Sequence, residues 1–148
     1  HMDRYAFVLN IVEKAHIGAQ ELSAACDQLN GLKDAHQRLV STYGRERVSA
    51  SGTNVNPALE AIMRYEDEIE ALERRIDTFN KAQKKVKDFI SLIKNRNYSQ
   101  LLEMYCLLGW SHARISRSVN RSISTIRRRH QTAIDIIVQE LNKKEAEA

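Results

Sequence analysis

Between Arg114 and Gln131 the chain carries six arginines (Arg114, Arg117, Arg121, Arg127, Arg128 and Arg129) among Ser122, Ser124, Thr125 and Gln131. A guanidinium is a rigid, donor-only fork that matches phosphate oxygens and the edge of guanine. Glutamine offers adenine a donor beside an acceptor, and hydroxyls serve either base. That set is suited to nucleic-acid recognition. It is not suited to catalysis: no glycine-rich phosphate loop, HExxH or CxxC occurs, and Ser, His and Asp never gather into a nucleophile arrangement. No enzyme activity and no cofactor is therefore expected. His130 has no second ligand at metal spacing and reads as a packed, hydrogen-bonded histidine, so no metal is expected either.

Three adjacent arginines are by themselves usually a solvated helix face, so their position decides their meaning. From Lys94 to His130 there are eight Lys or Arg and one acid, Glu103, a local balance of +7 in a chain whose total is +4. The remainder thus carries −3. A modest net charge hides a basic module joined to a mildly acidic one.

The elements that must hold these residues can be read from the local pattern. Asn95 to Asn97 interrupts a preceding repeat, and Leu101, Leu102, Tyr105 and Leu108 then mark a short amphipathic helix ending at Gly109, the expected C-terminal glycine. Ser111 can cap a second short helix with Ile115 and Val119 inward, and Asn120 can take the left-handed turn. Ser122 can cap a third helix, 123–141, carrying Ile123, Ile126, Ala133, Ile134, Ile137 and Leu141. This is the helix-turn-helix order. At 100° per residue, Ile123, Ile126, His130, Ala133, Ile134 and Ile137 share one side of the third helix. Ser124, Arg128, Gln131 and Asp135 lie opposite, Thr125 and Thr132 beside them, and Arg127 and Arg129 on the flanks. Ser124, Thr125, Arg128 and Gln131 are therefore expected to face base edges. Arg114, Arg117, Arg121, Arg127 and Arg129 are expected to reach phosphates, with Ser122 and the open N–H groups of the third helix adding an anion contact. Trp110 reads as a plug between helices rather than a stacking platform.

The N-terminal part, 3–94, reads as a long antiparallel helical hairpin. Val8, Ala15, Leu22, Leu29 and His36 alternate with Ile11, Gly18, Ala25, Leu32 and Leu39 at heptad spacing. Residues 41–56 (STYGRERVSASGTNVN), with Gly44 and Gly52, read as a loop, and Asn56 before Pro57 is a helix start. A second heptad repeat pairs Ile62, Ile69, Ile76, Gln83 and Ile90 with Tyr65, Leu72, Phe79, Val86 and Ile93. Gln83 is either a register-setting residue or a seam glutamine whose amide reaches solvent. Two helices cannot fully bury two such stripes, so a third contributor is required: a second copy of the chain, as a homodimer through the hairpin, or the C-terminal region 95–148. Acids early in the second helix (Glu60, Glu66, Asp67, Glu68, Glu70, Glu73) and lysines late (Lys81, Lys84, Lys85, Lys87) complement the helix dipole.

Only five glycines and one proline punctuate 148 residues, far below the roughly 12% of average proteins, which favours an all-α chain. No apolar run approaches the roughly 18 residues of a membrane span, and no signal-peptide core is present. His1 and Met2 read as a cloning remnant. Cys26 and Cys106 each fall on an apolar stripe and read as reduced core thiols, which points to a reducing, cytoplasmic setting.

The segment GWSHARISRSVNRSISTIRRRHQTAI, Gly109 to Ile134, resembles the region-4 helix-turn-helix of bacterial sigma factors through Ile115, Ser122, Thr125, Ile126 and Ala133. The wider layout, roughly Val48 to Leu141, resembles the small sigma-like regulators of phages of Gram-positive bacteria, the late-gene activators of ArpU and RinA type. It shares an RYEDEIEALERRI-like helix (Arg64 to Ile76), a G-W-S-x-x-x-I element and S-x-x-T-I-x-x-x-H-x-x-A-I. The resemblance implies double-stranded promoter DNA as ligand, transcription activation as function and RNA polymerase as a further partner. Arg114 and Arg117 depart from it, since many relatives carry acids in that helix, and the departure strengthens the phosphate-binding reading. The alternative is a coiled-coil interaction or DNA-packaging protein with a basic nucleic-acid-binding head. A terminase small subunit combines these parts, with its helix-turn-helix usually ahead of the oligomerising helices.

Overall fold

The structure, a computed structural model, describes residues 3–46 and 56–148. Every regular element among them is helical, and the chain is all-α. In order these are α1 (Arg4–Glu46), α2 (Pro57–Ser91), α3 (Arg96–Leu102) running on into a π-wound turn (Glu103–Leu107), α4 (His112–Val119) and α5 (Ile123–Glu147). His1, Met2 and 47–55, which include Gly52 of the expected loop, lie outside the described residues.

The start of α2 follows the sequence signal. Asn56 Oδ1 accepts from Ala58 N at 3.0 Å, with Pro57 as the first helical residue. The end of α1 does not, because the helix runs through Ser41 and Gly44 to Glu46. A lone glycine costs a helix only about 1 kcal/mol relative to alanine, and no proline is present to end it there.

By packing, the chain divides into two compact units, one of His1–Leu22 with Thr78–Ala148 and the other of Ser23–Asp77. The division cuts both long helices, whereas the sequence suggests a single boundary after Lys94.

In the first unit, the opening turns of α1 run against the closing turns of α2, and the C-terminal helices cover them both. Its core joins Val8, Val12 and Ala15 of α1, Val86 and Phe89 of α2, Leu102 of α3, Ile115 of α4, and Ile126, Ile134 and Ile137 of α5. The third contributor here is therefore the C-terminal region. That third layer widens the buried stripe beyond the heptad seam: Val12, Ala82 and Phe89 are buried off it, while the seam residue Ile11 is only partly buried. Gly18 permits the close approach of α1 to α2, since a Cβ there would stand 3.0 Å from Phe79 Cβ. At the far end of α5, Arg4 donates to Asn142 Oδ1 at 2.7 Å and pairs with Glu145.

In the second unit, α1 and α2 share their seam alone. Ala25, Ile62 and Leu72 are buried, but Leu29, Leu32, Leu39, Tyr65, Ile69 and Ile76 are only half-buried. Lys33 pairs with Glu73 at 3.5 Å and His36 with Glu66 at 3.3 Å, which fixes the pairing there as antiparallel. His36 thus faces a carboxylate rather than filling the seam.

Both cysteines are free. Cys106 is fully buried, but Cys26 is only half-buried, a correction to its reading as a core thiol that follows from the thin two-helix packing around it. Among the described residues no helix is long and apolar enough to cross a membrane.

Candidate nucleic-acid interface

Each turn of the C-terminal head is held by a cap that the sequence specifies. Asn95 accepts from Asn97 N at 2.9 Å and starts α3. Ser111 accepts from Arg114 N at 3.1 Å and starts α4. Asn120 takes φ 56° at the end of α4, and Ser122 accepts from Thr125 N at 3.1 Å to start α5. The hairpin between α4 and α5 is closed by Arg121 N donating to Ser116 O at 3.1 Å and by Ser116 Oγ donating to Arg121 O. A left-handed residue followed at once by a capped helix is the tight corner a helix-turn-helix requires.

On α5 the outward face carries Ser124, Arg128 and Gln131, all exposed, with Thr125 half-buried beside them. From 124 to 131 the helix advances about 10 Å, and an α-helix about 10–12 Å across with its side chains fits the roughly 12 Å width of a DNA major groove. Arg127 is exposed on one flank and Arg129 half-buried on the other. Arg117 and Arg121 are exposed on and after α4. Arg114 is also exposed, with its guanidinium held 4.2 Å from the ring centre of Trp110. Trp110 is itself half-buried against the core, so it acts both as a plug and as a shelf that orients an arginine. The structure thus brings all ten of these residues onto one head.

Some expectations change. The Ser122 hydroxyl is engaged by Thr125, accepting from its N–H and donating to its Oγ1 at 2.9 Å, so the open donors at the start of α5 are the N–H groups of Ile123 and Ser124. Ile123 is 40% exposed and Leu108 57% exposed, against the apolar sides to which their periodicity assigns them. Each sits where a helix begins or ends, so the 3.6-residue pattern has no following turn to hold it against the core. The first helix of the head also begins earlier than its apolar residues suggest and widens into the π turn before Gly109.

That widened end leaves carbonyls for other helices to satisfy, and none of their partners was evident in the sequence. His16 Nδ1 donates to Tyr105 O at 2.7 Å. Gln83 Nε2 donates to Cys106 O at 2.8 Å and to Ala15 O at 2.6 Å, which makes it a bridge between α1, α2 and the π turn. Gln20 Nε2 donates to Gly109 O at 3.1 Å and to the remaining ring nitrogen of His16 at 3.3 Å. These are the orphan acceptors that every helix end presents.

Next to them stands an aromatic column. His16 stacks on Tyr105 at 3.8 Å, Tyr105 on His112 at 4.9 Å, and His130 meets both Tyr105 and His112 edge-on. Tyr105 OH donates to Glu13 at 2.9 Å, and His130 Nε2 lies 4.0 Å from the same carboxylate. Burial, then the neighbouring His112 and His16, lowers the His130 pKa to about 4. Burial and then Arg127 lower that of His112. Burial raises the Tyr105 hydroxyl and the Cys106 thiol well above their ordinary values. His130 is thus packed and hydrogen-bonded, as its place on the apolar side suggests. Among the described residues no group of three or more His, Cys, Asp or Glu is arranged to hold a metal.

The head therefore offers an aromatic-lined interior beneath an arginine-rich surface. Among the described residues no ion pair engages Arg114, Arg117, Arg121, Arg127, Arg128 or Arg129, whereas Arg96 pairs with Glu103 at 3.1 Å, and the Glu13 carboxylate is occupied by Tyr105. Comparison with protein-family models, with curated proteins and with solved structures finds no match to this chain.

Proposed function

We propose that the chain is a sequence-specific, DNA-binding transcription regulator of a bacterial cytoplasm, a phage or prophage late-gene activator. α5 enters the major groove, where Ser124, Thr125, Arg128 and Gln131 read base edges. Arg114, Arg117, Arg121, Arg127 and Arg129 hold the backbone, with the N-terminal N–H groups of α5 near Ser122. RNA polymerase is the partner through which activation would act. One observation carries this reading: a corner of left-handed Asn120 and capping Ser122 presents an exposed Ser124–Arg128–Gln131 face flanked by unpaired arginines. Selection of bound duplexes from a random DNA pool tests it. A recovered consensus of one or two half-sites supports the reading, and a pool that stays random refutes it.

A second reading draws on the half-buried seam of Ser23–Asp77, which two helices leave partly open. In it the coiled coil is an oligomerising or partner-binding device and the head a general nucleic-acid grip, as in DNA packaging. Light scattering separates the two, because a ring-sized assembly favours packaging whereas a monomer or dimer favours regulation.

A further inference from the structure

A cavity of about 160 Å³ opens among α3, the π turn, α4 and α5 on the surface of the head. Arg121 and Arg129 line it together with Asn97 and Gln100 of α3, while Ile115 and Ile126 behind them are fully buried and leave almost no apolar surface open to it. No carboxylate lines it. Glu103, the one acid between Lys94 and His130, is paired with Arg96 at 3.1 Å. The rim is held in place: the backbone of Arg121 is bonded at both its N–H and its C=O to Ser116, and Arg129 is half-buried.

Two guanidiniums and two amides around a small opening form a donor-rich ring. In water-exposed positions such a ring attracts an oxyanion, and a pair of forked donors favours a tetrahedral one. We infer that the cavity bounded by Arg121, Arg129, Asn97 and Gln100 is a seat for one phosphate ester, its charged oxygens held by those four side chains. The ester has two sources, a backbone phosphodiester of DNA or a free small phosphate ester acting as an effector of the head. For the first source the inference rests on the DNA-binding reading; for the second it does not.

The test uses the full chain, labelled with nitrogen-15, and dimethyl phosphate as probe, with sodium chloride adjusted to hold ionic strength constant. The expected result is a saturable shift of the Arg121 and Arg129 side-chain N–H resonances and of the Asn97 and Gln100 amides, with Arg114, Arg117 and Arg128 unmoved. Arg121→Gln and Arg129→Gln should each weaken the titration about tenfold. Asn97→Ala, on the opposite rim, provides an independent variant should an arginine change disturb folding. Shifts that do not saturate, or that spread evenly over all arginines, overturn the site. Duplex binding then separates the sources. If the seat takes a backbone phosphate, the probe competes with DNA and the double arginine variant, losing that single phosphate, lowers the log–log salt slope by about one. If it takes a free ester, the slope is unchanged while the probe still binds. Should the wild-type chain fail to bind duplex at all, the DNA reading falls while the probe titration still decides the site.

Discussion

His112 Nε2 lies 3.3 Å from His130 Nδ1, joining the first turn of α4 to the middle of α5 through a single shared proton. Because His130 Nε2 faces Glu13, the consistent arrangement places one proton on that nitrogen and lets Nδ1 accept from His112. The geometry between α4 and α5 is thereby tied to α1, through Glu13 and through the Tyr105 ring wedged between His16 and His112.

This arrangement makes stability depend on pH. His130 has a folded pKa of about 4 and that of His112 is also lowered, so the unfolded chain takes up more protons than the folded one as pH falls below the ordinary histidine value. The contribution is complete above about pH 6.5 and is lost progressively toward pH 4, where His130 alone accounts for about 3 kcal/mol. Denaturant unfolding of the wild-type chain against His130→Leu across that window checks it. As pH is lowered across it, the wild type should lose about 3 kcal/mol relative to the variant.

Gly109 sits at φ +72°, and a Cβ on it would stand 3.0 Å from Gln20 Cγ and 3.2 Å from the Ala19 carbonyl carbon. Gly109→Ala should destabilise the chain by about 1–2 kcal/mol from the left-handed backbone alone, with the contact against α1 adding to this. The midpoint of chemical denaturation measures the loss.

Replacing Gln83 by leucine keeps the volume but leaves the Cys106 carbonyl without its donor. Gln83→Leu is expected to cost about 1–3 kcal/mol, the penalty for a buried acceptor left unsatisfied. Were the amide merely solvated, the variant would match or exceed the wild type in denaturant.

Arg128 and Arg114 should fail differently. Arg128→Ala removes an exposed guanidinium from α5 and, on the base-reading role proposed for it, is expected to cost about 1–3 kcal/mol on the preferred site while relaxing preference at one base pair. Arg114→Ala, lifted off its Trp110 shelf, should weaken all duplexes alike and reduce the salt slope by about one. Fluorescence anisotropy on preferred and scrambled duplexes over a salt series distinguishes the two.

Much of the head could be read from the sequence because its signals are local. Ser111, Ser122 and Asn120 each act within three or four residues of themselves, and the two caps and the left-handed turn appear at the positions those residues mark, while Asn95, which the pattern marks only as a break in the repeat, also caps α3. The heptads likewise fix α2 and its seam. What could not be read is long-range. His16 reaches a carbonyl 89 positions away, and Gln83 one 23 positions away, in answer to a π turn that no residue in Glu103–Leu107 announces. The same limit applies to Val12 and Phe89, which are buried off the heptad because a third layer covers them. Ile123 and Leu108 erred in the opposite sense, because periodicity assigns a face but not whether anything stands over it at a helix end. At the interface, the exposure of Ser124, Arg128 and Gln131 follows from helical phase, whereas the engagement of the Ser122 hydroxyl and the seating of Arg114 on Trp110 required the neighbouring elements.

The central claim is that the α5 face distinguishes one DNA sequence from another. The most direct measurement is the ratio of affinities of the full chain for its best selected duplex and for a scrambled duplex of equal length and composition, at one fixed salt concentration. Base reading by Ser124, Thr125, Arg128 and Gln131 predicts a ratio of about 10³ or more, falling sharply in Arg128→Ala. A ratio near one, with both duplexes bound through salt-sensitive contacts alone, would contradict it.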